Sequence, residues 1–183
     1  MDTGKKILGE IEQVIAQIEE ERISQAAHYL LKAKRIFVIG EGRSGFMVKA
    51  FAMRLMHLGA QSYVLGETIT PAIAPQDVLV AISGSGKTHS VVWTAEKAKQ
   101  TGVIVLALTA NAESQLAKTA DTCLVIPAAT KFRNEGKSES IQPLGSLFDQ
   151  SAHIVFDSIC LFYAELGKVS AEAAFRAHSN LEV

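Results

Sequence analysis

Val78-Leu79-Val80-Ala81-Ile82-Ser83-Gly84-Ser85-Gly86-Lys87-Thr88 runs from five apolar residues into a loop of glycines and hydroxyls, and a helix-like segment follows from about Ser90. A short apolar run bounded by a turn signal reads as a strand buried on both faces. The loop after it suits a phosphate. Its glycines let the backbone curl so that N–H groups converge, its hydroxyls add donors, and the following helix points the positive end of its dipole inward. A second stretch has the same plan, with Arg35-Ile36-Phe37-Val38-Ile39 leading into Gly40-Glu41-Gly42-Arg43-Ser44-Gly45. Two such loops on neighbouring strands point to one small phosphorylated ligand between them.

Outward from these two turns the chain repeats a βα pattern. Runs at 36–40, 61–65, 77–82, 103–108 and 122–126 read as strands, with helices near 45–58, 89–101 and 113–119 between them. Strands this apolar with helical crossovers predict an α/β fold: a doubly wound, five-stranded parallel sheet with helices on both faces. Ligands of such sheets lie outside the carboxyl ends of the strands, where the strand order reverses, and both glycine loops fall there. Ahead of the sheet, residues 1–34 form a helical arm. Ile7, Ile11, Val14, Ile15 and Ile18 recur at helical spacing with Glu10, Glu12, Glu19 and Glu20 between them, and a second helix spans Ser24 to about Lys34. The arm either pads this domain's own core or packs against another subunit. From Ala128 to Gln142 the chain is polar and without apolar period, the composition of a long loop that could close as a lid. Pro143 then starts a helix with Leu144, Leu147, Phe148, Ser151, Ile154, Val155, Ser158 and Phe162 on one face, and a short helix and polar tail end the chain.

Composition narrows the function. With 183 residues and 48% hydrophobic content, one domain over 1–183 is expected. Lys+Arg 18 against Asp+Glu 19 gives a net charge of -1, which supplies no basic field for nucleic acid. No apolar run approaches the ~20 residues of a membrane span and the start lacks an apolar signal core, so a cytoplasmic protein with no membrane partner is expected. Cys123 and Cys160 lie inside apolar patterns with no C-x-x-C spacing and read as buried thiols. The histidines His28, His89 and His153 show no ligand spacing, so no metal site is expected.

Two nucleotide motifs compete for the glycine loops. Gly40-x-Gly42-x-x-Gly45 matches the dinucleotide fingerprint, with Glu67 about where the ribose-binding acid would stand, but that fingerprint leaves the second loop unexplained. Gly84-Ser85-Gly86-Lys87-Thr88 is similar to the end of a Walker A loop, but the leading glycine would fall at Ala81. The bland reading of both is a tight βα turn, in which three hydroxyls within six residues would be superfluous. Among the acids, Glu67 is placed at a strand's carboxyl end, whereas Asp149 and the tail histidine His178 would, by themselves, pass for solvated side chains. His57 reads as a helix-surface or satisfied buried histidine.

The order Gly42-Arg43-Ser44-Gly45, Phe51-Ala52-Met53-Arg54-Leu55-Met56-His57-Leu58-Gly59, Gly66-Glu67-Thr68-x-Thr70-Pro71, Ser83-Gly84-Ser85-Gly86, Gln142-Pro143-Leu144-Gly145-Ser146-Leu147-Phe148 and His178-x-Asn180-Leu181-Glu182 resembles the 6-phospho-3-hexuloisomerases of the sugar isomerase (SIS) domain superfamily, whose sheet is flavodoxin-like. The resemblance implies interconversion of arabino-3-hexulose 6-phosphate and fructose 6-phosphate through an enediolate, the step after formaldehyde fixation in the ribulose monophosphate pathway. It implies no metal or organic cofactor, a sugar phosphate as the small-molecule partner, and a homo-oligomer, typically a tetramer. By it, Arg43, Ser44, Ser83, Gly84, Ser85, Gly86, Lys87 and Thr88 bind substrate. The family's proposed base is a glutamate after Leu-Phe, and Asp149 stands there in this chain. Either Asp149 is the base, or it is Glu67 or His178, which resemble the glutamate and histidine of other phosphosugar isomerases. Lys87 is a second departure, at a position where relatives carry glutamate or a small polar residue. Another phosphosugar isomerase, or a phosphosugar sensor without catalysis, is the alternative.

Overall fold

The structure is a computed structural model that describes residues 2–131 and 140–181. Five strands, β1 (Ile36–Gly40), β2 (Ser62–Val64), β3 (Val78–Ile82), β4 (Ile104–Thr109) and β5 (Thr122–Val125), form a parallel sheet in the order β2-β1-β3-β4-β5. The order reverses between β1 and β3, which pair in register from Ile36 opposite Val78 to Gly40 opposite Ile82. Strand side chains alternate between two cores, as a sheet covered on both faces requires. Val38, Val80, Ile82, Leu106 and Leu108 face one, and Phe37, Leu79, Ala81, Val105 and Ala107 face the other.

The first core is covered by α1 (Thr3–Ile15), α2 (Glu20–Lys32), α3 (Gly42–His57) and α6 (Ser146–Gly167). The second is covered by α4 (His89–Gln100) and α5 (Gln115–Thr119), through Val91, Val92, Ala95, Ala98 and Leu116. Phe51 of α3 stacks on Phe156 of α6, with centroids 4.3 Å apart, and truncating either ring to alanine would cost about 3–5 kcal/mol. Val14, Ile23, Ala26, Ala27 and Leu30 join this core, so the N-terminal arm packs on the chain's own α6. Helix α7 (Ala171–Arg176) lies on α3 and buries no residue.

The strands fall within two residues of the sequence-based boundaries, but three helices differ in ways that matter. Helix α3 begins at Gly42, three residues before the predicted 45, so Arg43 and Ser44 belong to its first turn and not to a loop. Helix α6 begins at Ser146 and not at Pro143, because Leu144 takes a left-handed φ of 54° that no helix can include. Asp149 therefore sits in the first turn of α6, one turn earlier than a start at Pro143 would put it. The buried face of α6 is also rotated: Leu147, Ser151, Val155, Ile159 and Tyr163 point inward, while Leu144 and Ile154 are exposed. Helix α2 starts at Glu20, earlier than Ser24. Residues 132–139, most of the loop expected to form a lid, lie outside the described residues, as does Glu182.

Candidate active site

Three helix N-termini converge on one cleft of about 300 Å³ at the carboxyl edge of the sheet, where the strand order reverses. They are those of α3 at Glu41 to Ser44, α4 at Thr88, and α6 at Gly145 to Asp149. None of the three N-cap residues, Glu41, Thr88 or Gly145, closes its helix with a side-chain hydrogen bond. Away from the cleft, α1, α5 and α7 are capped by the side chains of Asp2, Ser114 and Ser170, while α2, at Glu19, is uncapped as well. Uncapped first turns leave N–H donors and positive dipole ends for an anion, and here three of them share one space.

The Ser83 to Thr88 loop forms one wall. Ser83 Oγ and Thr88 Oγ1 share a hydrogen bond of 2.8 Å, and Gly86 N–H donates to the Ser83 carbonyl at 2.9 Å. Gly86 has a φ of +62°, and a Cβ there would come 2.1 Å from Ser114 Oγ, so only glycine lets the loop fold against β4 and α5. Gly40 and Gly45 serve close approach on the other wall, since a Cβ on Gly45 would lie 2.7 Å from the Gly40 carbonyl oxygen. The dinucleotide-like spacing thus brings α3 hard against β1.

Two acids line the cleft: Glu41 is exposed and accepts a hydrogen bond from Ser90 Oγ at 2.8 Å, and Asp149 is the buried one. It is 6% exposed and accepts a hydrogen bond of 2.6 Å from Ser44 Oγ, while Arg43 Nε stands 3.6 Å from its second oxygen. Arg43 also donates to Ser146 Oγ at 2.7 Å, tying the first turns of α3 and α6 together. Burial raises the Asp149 pKa above the usual aspartate value, and the Ser44 hydrogen bond and the Arg43 charge oppose that rise without cancelling it. A carboxylate so placed is a better proton acceptor than a free aspartate. The turn before it is strained: Leu144, at a left-handed φ of 54°, lines the cleft at a cost of about 1–2 kcal/mol.

The cleft gathers Arg43, Ser44, Ser83, Gly84, Ser85, Thr88 and Asp149. Gly86 is buried behind the loop, and Lys87 is exposed and does not line the cleft. Glu67 is exposed in the turn after edge strand β2, in a separate hollow with Lys49, Met56 and Thr70. His178 stacks on His57 with ring centroids 5.1 Å apart, at the far end of α3 from Ser44, about 20 Å away at 1.5 Å per residue. Within one chain neither reaches Asp149. His57 itself is buried, with no hydrogen-bond partner for its Nδ1 among the described residues, so it is neither the helix-surface nor the satisfied buried histidine expected, and burial together with Arg54 and His178 lowers its pKa. Both thiols are pushed up by burial, Cys123 to about 11 and Cys160 to about 12, which leaves them inert as nucleophiles. Among the described residues no cluster of three or more His, Cys, Asp or Glu could hold a metal, and no helix is long and apolar enough to cross a membrane.

Thr130 and Lys131, just beyond β5, also line the cleft and carry no motif; only their place at a strand's carboxyl end could have singled them out. Phe148 closes the floor, 3.1 Å from where a Cβ on Gly84 would stand.

A family model described as the SIS domain matches residues 29–154. The chain is 42% identical to a 3-hexulose-6-phosphate isomerase of Bacillus subtilis, over 97% of this chain and 96% of that one. It is 40% identical to a 3-hexulose-6-phosphate isomerase of Mycobacterium gastri, covering 94% and 86% respectively. A crystal structure of a Methanococcus jannaschii protein, inferred to be a 3-hexulose-6-phosphate isomerase, superposes over the full length of both chains with a TM-score of 0.84 at 30% identity. With the domain match, the near full-length identities and the shared architecture together, the chain belongs to the SIS domain family and, within it, to the 3-hexulose-6-phosphate isomerases.

Proposed function

We propose that this cleft is where the chain, an isomerase of that family, interconverts arabino-3-hexulose 6-phosphate and fructose 6-phosphate. The observation that carries the reading is the convergence of three uncapped helix N-termini and the Ser83, Ser85 and Thr88 hydroxyls beside one buried, pKa-raised carboxylate. The phosphate dianion is held by the hydroxyls and N–H groups of the Ser83 to Thr88 loop and by Ser44, which places the sugar along the wall made by α6. Asp149 takes the proton from C2, next to the C3 carbonyl, and the electron pair left behind forms the 2,3-enediolate. The proton returns to C3 while a hydroxyl proton passes from O2 to O3, so the carbonyl ends at C2 with no net gain or loss of atoms. Arg43 and the helix N-termini stabilise the charge that builds on the enediolate oxygens. Glu67 and His178, distant within one chain, would act only across a contact between chains. Exposed apolar side chains on one face of α3, Phe46, Met53 and Met56, support a homo-oligomer.

The test is a coupled assay of fructose 6-phosphate formation by purified protein with a chelator present, and turnover is expected. Saturable binding of the sugar phosphate with no turnover would make the cleft a sensor's pocket.

A further inference from the structure

Helix α1 turns Ile11, Val14 and Ile15 toward the core, and the half-buried Glu10 lies beside that stripe, four residues before Val14. A carboxylate drawn partly out of water gains from donors, and Glu10 finds three on one short segment. Its Oε1 accepts the Ile141 N–H at 2.8 Å, and its Oε2 accepts from Ser140 Oγ at 2.9 Å and from Gln142 Nε2 at 3.0 Å. Burial alone would raise the Glu10 pKa, yet the Ile141 backbone N–H and the Gln142 and Ser140 side chains hold it below the usual glutamate value. Gln142, itself 5% exposed, opens the short turn to α6. That turn holds the left-handed Leu144, and Ser146 N–H bonds back to the Pro143 carbonyl at 3.2 Å. Leu144 and Gly145 then wall the cleft, and Asp149 N–H bonds the Gly145 carbonyl at 3.0 Å. A strained turn keeps its shape only when both its ends are held. The α6 end is held by Arg43 on Ser146, and the other end is held by Glu10.

We propose that Glu10, remote from the reacting atoms, is a positioning residue for the isomerisation: by gripping Ser140 to Gln142 it fixes the turn that aims Asp149 into the cleft. The proposal rests on the reading of the cleft as the isomerase site. The phosphate loops sit on β1, β3 and their helices, so releasing this grip moves the base and leaves the phosphate hold in place.

Full-length Glu10→Ala and Glu10→Gln are compared with the wild type in the fructose 6-phosphate assay, and hydrogen exchange is followed at the amides of 141–149. Glu10→Ala is expected to lower kcat about tenfold while changing KM less than twofold, because a shift of well under ~1 Å in a catalytic group is costly. Exchange should rise at 141–149 and stay unchanged in β1 and β3. Glu10→Gln should recover kcat to within about threefold, since its carboxamide oxygen still accepts the Ile141 N–H. Wild-type kcat with unchanged exchange in Glu10→Ala overturns the proposal. A loss of rate accompanied by faster exchange across β1 and β3 overturns it as well, since that marks a general loss of stability. If the wild type itself shows no turnover, the functional reading falls, and exchange alone judges Glu10: selective loosening of 141–149 upholds the grip and unchanged protection refutes it.

Discussion

Asp77 and Asp149 are both buried aspartates, 1% and 6% exposed, at opposite edges of the same sheet. Asp77, at the amino edge just before β3, is fully engaged. Arg35 meets it with two hydrogen bonds, of 3.0 and 2.6 Å, and the Ala74 N–H adds a third at 2.7 Å. Asp149, at the carboxyl edge, has one hydroxyl donor and an arginine 3.6 Å away, and it faces a cleft. The amino edge spends its carboxylate on joining β1 to the loop before β3. The carboxyl edge leaves its carboxylate with spare lone pairs and a raised pKa, the condition for taking a proton. The same side chain is thus fully fastened in one place and left with unfilled lone pairs in the other, according to how many donors surround it.

The comparison breaks most sharply at Asp149. Asp149→Asn should lower kcat by about 100-fold or more, the range in which a general base contributes, without weakening sugar-phosphate binding. A folded variant with wild-type turnover would move the base to Glu67 or His178 of a neighbouring chain. The same substitution should not lower Tm. Because burial raises the Asp149 pKa in the folded state, stability falls as pH rises from the unfolded value through the raised one, and that cost persists at neutral pH. Asparagine, which never ionises, escapes the cost and still accepts from Ser44.

Asp149→Glu sharpens the contrast at smaller scale. Glutamate is the residue the family resemblance places here, but Ser44 lies 2.6 Å from the present carboxylate, and a longer side chain must fold away from it. A kcat up to about tenfold lower is expected in the same assay. At the other edge, Asp77→Asn should behave in reverse, with Tm lower by about 5 °C or more in a thermal melt and kcat of the folded protein within about twofold. The smallest effect is in pH. The acid limb of the kcat/KM profile should lie above the usual aspartate value of 3.8, because burial raises the group that must be ionised.

Much of this was legible along the chain. Apolar runs such as Val78 to Ile82 are strands because β-branched and leucine side chains fit a pleat covered on both faces. The glycine turns at the cleft were legible because few other residues reach a left-handed φ such as those of Gly42 and Gly86. Less legible was the start of α6. Pro143 favours a helix start, but the strained Leu144 delays it, and the delay puts Asp149 into the first turn. The bond from Ser44 to Asp149 joins residues 105 apart, and those from Glu10 to Ser140, Ile141 and Gln142 span 130 to 132. Glu10 looked like one more solvated acid between apolar neighbours, because the pattern that gives a helix its face does not name the loop that will lie across it.

Sequence by itself therefore determined the layers of the sheet, the two glycine-rich turns and the family, since each is carried by short local segments and their order along the chain. Tertiary structure decided which acid meets those turns, because burial and partner count are properties of a folded environment. It left Glu67 and His178 outside the cleft and Asp149 within it, and it drew Glu10 from the arm to the turn before Asp149. The physical reason is the same in each case: a carboxylate's chemistry is set by the donors and the water around it, and the fold alone chooses those.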